Sequence, residues 1–215
     1  MKQQKTMYQI ILDASGSMSS CERETMDGFN EQVTYLRSLE EKFPEQEIEV
    51  SLTTFNEKVQ RVYQQISPKE LPKLHAENYR PHGTTALLDA IGITVQQLEN
   101  AREQSEKQLP TTVVVLILTD GEENASRLFK FNDVSETIKR LEATEKWTFS
   151  FLGADLDIRK MSEQLSIKER NSFSFNKERM REDLWHRVNH SMDSYLMKKR
   201  SGESLDDLFD VEKNK

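Results

Sequence analysis

Residues 113–118 read VVVLIL, and this run narrows the possible folds of the chain more than any other stretch. A strand sends successive side chains to opposite faces, so an unbroken apolar run leaves neither face for water. Thr111 to Leu118 is nearly all β-branched, which favours a strand over a helix. The run therefore predicts a central parallel strand with a layer of structure on each side.

The remaining segments supply those layers. An earlier apolar run, Met7 to Leu12, predicts a second buried strand. From Glu22 to Phe43, residues Met26, Phe29, Val33, Leu36 and Leu39 recur at helical spacing. Glu47–Thr54 and Lys58–Gln65 read as a hairpin whose second arm is an edge strand, being interrupted by polar residues. Residues 66–83 carry Pro68, Pro72 and Pro81 without a sustained period and read as a long loop. Further helices are marked by Leu88, Ile91, Val95 and Leu98, by Val134, Ile138 and Leu141, and by Ile158, Met161 and Leu165. Trp147–Leu152 and Ser172–Phe175 read as strands. A last helix is expected to be capped by Asn176 and striped by Met180, Leu184, Val188 and Met192.

Strand and helix in turn predict an α/β fold. Its sheet is doubly wound and mostly parallel, with one antiparallel edge strand and helices on both faces. With 215 residues and 35% hydrophobic content, the chain has enough apolar material for one sizeable core. The expected division is one domain over 1–198 and an acidic, mobile tail over 199–215, in which Leu205, Leu208 and Phe209 form one apolar face.

A net charge of −7 is not the footprint of a nucleic-acid binder, and a cation or basic partner fits it better. No stretch approaches the roughly 18 apolar residues of a membrane span, and no signal peptide is apparent. The single cysteine, Cys21, excludes an internal disulfide and suits a reducing compartment, so a cytoplasmic protein is expected.

The chemistry is expected where the two buried strands end. In an open parallel sheet, ligands bind beyond the carboxyl ends of the strands, at the switch point. The first strand ends in Asp13-Ala14-Ser15-Gly16-Ser17, and the central strand ends in Thr119-Asp120-Gly121. Two acids face each other there if these strands are neighbours, with hydroxyls from Gly83-Thr84-Thr85 between them. Such hard oxygen donors, without Cys or His, suit Mg²⁺ or Mn²⁺ rather than zinc. Neutral hydroxyls leave much of the dication's charge uncompensated, so an open position attracts an external carboxylate.

LDASGSM, GTTALLDA and LILTDGEEN together resemble the von Willebrand factor type A domain and its metal-ion-dependent adhesion site, over roughly residues 7 to 155. The resemblance implies a metal held by Asp13, Ser15, Ser17, Thr85 and Asp120, with Thr84 standing where the family has a glycine. It further implies metal-dependent binding of a protein partner that presents an Asp or Glu. RPHGTTALLDAIG, LILTDGEENASR and WTFSFLGAD are especially similar to small, free-standing bacterial and bacteriophage members.

Several other polar groups are assigned plainer roles. Glu122 and Glu123 are expected to be solvated, Asp155 and Asp157 to cap the helix that follows, and His82 to be an ordinary loop histidine. His186 and His190, with Asp183, share a helical face but lack the glutamate of a zinc protease motif. A metal-dependent phosphoryl-transfer or hydrolytic enzyme is the alternative, since Asp13 stands where an aspartyl nucleophile would. Against it, position 15 is Ser rather than the second acid of D-x-D, and neither a nucleophile elbow nor a phosphate loop is present. A subunit accessory to an ATPase is a special case of the binding role.

Overall fold

The computed structural model describes residues 3–154, 158–177, 180, 184–203 and 208. Six strands form one sheet: β1 (Gln4–Asp13), β2 (Gln46–Phe55), β3 (Val59–Ile66), β4 (Thr111–Thr119), β5 (Trp147–Ala154) and β6 (Ser172–Phe175). Their order across the sheet is β3-β2-β1-β4-β5-β6. All pairs are parallel except β2 with β3, the hairpin at one edge. The α/β architecture expected from the alternation of elements is thus the one observed.

The helices are α1 (Glu22–Lys42), α2 (Leu87–Glu106), α3 (Phe131–Glu142), α4 (Ile158–Leu165) and α5 (His186–Ser201). The VVVLIL run shows why two layers are needed. Val114, Leu116 and Leu118 face the side holding Phe29, Val33 and Leu36 of α1 with Val188, Met192 and Tyr195 of α5. Val113, Val115 and Ile117 face the opposite side, with Leu88, Ile91 and Val95 of α2 and Val134 and Ile138 of α3. All six are fully buried, so at about 25 cal/mol per Å² of apolar surface β4 contributes to the core on both faces of the sheet.

The C-terminal region departs from the sequence reading in two ways, at the end of its helix and at Leu208. Met180 is helical, Leu184 and Trp185 lie in a wider, π-type turn, and α5 runs on regularly from His186, while the helix start expected at Asn176 falls partly outside the described residues. That turn is built around Trp185, whose indole packs directly against the backbone of Gly28 in α1, where a Cβ would lie 1.8 Å from Nε1. The helix also runs past residue 198 to Ser201 and ends on Gly202 in the left-handed conformation. Lys199 is buried and donates to Lys5 O at 2.6 Å and to the hydroxyls of Thr6 and Thr112 at 2.8 Å, which ties α5 to the amino ends of β1 and β4. Lastly, Leu208 is buried in the α1/α5 core, and its N–H donates to Asn171 Oδ1 at 2.9 Å. Leu205 and Phe209 lie outside the described residues.

The proline-bearing segment between β3 and α2 is anchored at several points. Asn30 Nδ2 donates to Leu74 O and Leu74 N donates back to Asn30 Oδ1, while Arg37 donates to the carbonyls of Pro68 and Leu71. Leu71, Leu74 and Tyr79 are buried, so the segment packs as part of the core and delivers residues 82–85 to the carboxyl end of the sheet.

Candidate metal centre

Strands β1 and β4 are neighbours, with Leu12 opposite Leu118, so Asp13 and Asp120 emerge side by side where the order of connections reverses. The Asp13 carboxylate is wholly buried. Its Oδ1 accepts the Ser15 N–H at 2.6 Å and its Oδ2 accepts the Thr119 hydroxyl at 2.5 Å. Burial pushes this carboxyl up to about 6, against the pull of those hydrogen bonds, and the charge of Asp120 adds to the rise. The buried Tyr79 hydroxyl donates to Asp13 O at 2.7 Å and fixes the backbone at this strand end.

Beyond Asp13 the chain is extended at Ser15 and then winds into a short 3-10 helix, Gly16–Cys21. Gly16 N donates to Gly83 O at 3.1 Å, and a Cβ on Gly16 would stand only 3.3 Å from that oxygen. This close approach draws the 82–85 segment against the first loop. Ser15 Oγ and Ser17 Oγ are 3.1 Å apart, and the Ser17 hydroxyl donates to Asp120 Oδ1 at 2.5 Å.

Thr85 completes the group. A methyl group placed on Gly121 would lie 2.8 Å from Thr85 Oγ1, 3.3 Å from Ser17 Oγ and 3.5 Å from Ser15 Oγ. Three hydroxyls from two different segments therefore converge on one small volume beside Asp120, which the absence of a side chain at Gly121 leaves open. Thr85 is buried, whereas its neighbour Thr84 is exposed. All five residues singled out in the sequence are thus gathered at one end of the sheet, with Asp13 one hydrogen bond behind the hydroxyls. Ser17 is the exposed member, so the group opens to solvent on its side.

The donor set is two carboxylates and three hydroxyls. No three His, Cys, Asp or Glu side chains gather among the described residues, so soft or nitrogen-rich coordination is not what this site offers. Asp120 Oδ2 is buried without a hydrogen-bond donor in bonding geometry. The Lys177 ammonium stands 2.6 Å from it as an ion pair, without the angle of a hydrogen bond. A buried carboxylate is costly unless a cation is at hand, and here Lys177 supplies one.

Four supporting residues were not singled out in the sequence. Asp89, in the first turn of α2, accepts the N–H groups of Leu128 and Phe129 on Oδ1 and of Arg127 on Oδ2, all at 2.9 Å. Asn124 Oδ1 accepts the Thr85 N–H at 2.9 Å, and its own N–H donates to Thr85 O at 3.0 Å. Thr119 holds Asp13, as described, and accepts the Gly121 N–H at 3.1 Å. Lys177 lies far along the chain, after a weak strand, with nothing local to mark it. Asp89 did carry a signal: an acid in the first turn of a predicted helix is placed to receive N–H groups.

Glu123 corrects its sequence reading. Instead of being solvated, its carboxylate accepts Leu88 N at the start of α2, both Ala125 N and Ser126 N, and the Ser126 hydroxyl. Glu122 is exposed. His82 is exposed, with Nδ1 2.8 Å from Arg80 O and Nε2 3.1 Å from Asn56 Nδ2. His186 and His190 are exposed on α5, while Asp155, Asp157 and Asp183 lie outside the described residues. Cys21 is a buried free thiol, pushed up to about 11 by burial, which suits a packing role.

Comparison with known families matches residues 9–187 to the von Willebrand factor type A domain. Among solved structures, the chain is similar to the ArnB paralog VWA2 from Sulfolobus acidocaldarius, at 13% identity and a TM-score of 0.57, covering 87% of this chain and 46% of that one. It is also similar to a von Willebrand factor type A protein from Catenulispora acidiphila, at 15% identity and a TM-score of 0.54, covering 85% and 42%. A third similar structure is proximal thread matrix protein 1 from the mussel byssus with a zinc-occupied MIDAS motif, at 16% identity and a TM-score of 0.52, covering 86% and 45%. The chain thus spans somewhat under half the length of each of these. A comparison with curated protein sequences finds no match.

Proposed function

The chain belongs to the von Willebrand factor type A domain family, whose members generally mediate protein interactions, and on that premise we propose that it is a metal-dependent protein-binding module. Asp13, Ser15, Ser17, Thr85 and Asp120 would hold Mg²⁺ or Mn²⁺. When bound, the ion supplies an electrophilic coordination position that an Asp or Glu of a protein partner completes. The observation that carries this reading is the convergence of three neutral hydroxyls beside the buried Asp120 carboxylate. Hard oxygen donors of low total charge fit an alkaline-earth-type cation and leave it attractive to a further carboxylate.

The chain's own residues do the positioning. Thr119 and the Ser15 N–H hold Asp13, Asn124 holds Thr85, and Asp89 with Glu123 fixes the loop after β4 against α2. Exposed Ser17, Gly83 and Thr84 form the rim by which a partner would approach. A binding role without catalysis is supported by the serine hydroxyls being engaged with each other and with Asp120, and by both nitrogens of His82 being turned to Asn56 and Arg80. We place the protein in the cytoplasm of a bacterium or bacteriophage host, a placement supported by its unpaired buried cysteine and its sequence resemblances. No helix among the described residues is long and apolar enough to cross a membrane.

Titration calorimetry with Mg²⁺ and Mn²⁺ is expected to show one site, lost when Asp13→Ala and Asp120→Ala are combined. Unchanged binding in that double variant would overturn the assignment. Affinity capture should then yield a partner whose binding requires the metal and weakens in Thr85→Ala. Replacing the partner's acidic contact by its amide should cost about 2 to 5 kcal/mol. Capture indifferent both to EDTA and to Thr85→Ala would place recognition on another surface.

A further inference from the structure

The two oxygens of Asp120 face different partners. Oδ1 takes the Ser17 hydroxyl at 2.5 Å and so belongs to the hydroxyl group, while Oδ2 meets the Lys177 ammonium at 2.6 Å. The Asp120 side chain is completely buried, and that of Lys177 is 23% exposed, so the ion pair is closed on the acid's side and reaches solvent on the lysine's. Lys177 follows directly on Phe175 and Asn176 at the end of β6, the edge strand remote from the hairpin, and extends back over β5 to reach the carboxyl end of β4. The chain therefore carries its own cation on the acid that a divalent ion would need.

We propose that Lys177 is a built-in competitor for the divalent cation: its ammonium neutralises Asp120 in the metal-free protein, and the ion binds by displacing it. This rests on the metal-site reading above and adds the control of its affinity. The physical reason is exclusion by like charge. A dication among Ser15, Ser17 and Thr85 shares the Asp120 carboxylate with any ammonium left in place, and two cations on one buried carboxylate repel strongly where screening is weak. An ammonium on a flexible four-carbon stem, partly open to water, can leave that contact without unfolding anything around it. The lysine thus makes the group stable without metal and sets the cation concentration at which the site fills.

The test compares Mn²⁺ binding by calorimetry in the full chain, in Lys177→Met and in Lys177→Gln, with Lys107→Met as a control for net charge at the exposed far end of α2. Neutralising Lys177 is expected to tighten Mn²⁺ binding about tenfold or more, and Lys107→Met to change it less than twofold. The unaltered protein supplies a second readout: acylation of the Lys177 amine, followed by mass spectrometry, should speed up several-fold when Mn²⁺ is added. Tightened binding together with faster acylation supports the proposal, as does Mn²⁺ binding that appears only once Lys177 is neutralised. Binding unchanged within twofold, or acylation indifferent to Mn²⁺ in a protein that binds it, overturns the competition and leaves the metal site standing. An absence of Mn²⁺ binding in all four proteins overturns the metal-site reading itself.

Discussion

At the scale of single residues, the site combines groups whose types are readable in the sequence with an environment that is not. Asp13 stands out for its burial more than for its charge. With its carboxyl raised from 3.8 to about 6, the folded metal-free protein holds that proton more tightly than the unfolded chain does. The stability so contributed is fully present below about pH 4 and is lost as pH rises through 6. Two units correspond to about 3 kcal/mol. In metal-free protein, chemical denaturation of wild type and Asp13→Asn should therefore differ by about 3 kcal/mol more at pH 7 than at pH 4, with wild type falling behind. A difference that does not vary with pH would show that the carboxyl is not raised. Asp13, Ser15, Ser17 and Asp120 stood out because strand ends are local, and Thr85 was singled out by the resemblance of GTTALLDA to the family pattern. Lys177 and Asn124 were not, because their relevance arises only from where the fold carries them.

At the scale of elements, α2 and the loop after β4 behave as one unit. Asp89 receives three backbone N–H groups from residues 127–129, and Glu123 receives the N–H of Leu88 in return. Hydrogen bonds to an ionised acceptor are worth roughly 1.5 to 3 kcal/mol each, and an amide in its place accepts less strongly and adds N–H groups with nothing to receive them. Asp89→Asn is therefore expected to destabilise the protein by about 2 to 4 kcal/mol. It should also raise hydrogen exchange at Arg127, Leu128 and Phe129 ahead of the rest of the chain. Exchange rising uniformly would mean that the clamp has no local role. The periodicity of α2 was plain from Leu88, Ile91, Val95 and Leu98, but not the tie between its first turn and a loop some forty residues on. The same holds for α5, where Lys199 against the strand ends carries the helix past the end expected for it.

At the scale of the whole molecule, two apolar layers close over a six-stranded sheet, and the site occupies one end of it without holding the layers together. A core of this size needs no metal staple. Adding EDTA is therefore expected to leave the far-ultraviolet circular dichroism unchanged and the melting cooperative. Collapse of that signal on chelation would make the cation structural and undo the functional reading. The sequence by itself determined the class of fold, because side-chain periodicity and β-branched runs report which faces each segment must bury, and VVVLIL can only be central. Through its resemblance to the family it also pointed to five candidate ligands, each lying within a few residues of a strand or helix end. Only the tertiary structure decided that Glu123 is a clamp. It alone brought Leu208 into the core and set Lys177 on Asp120. Each of these follows from contacts between segments distant in the chain, and such contacts leave no period or local spacing to read.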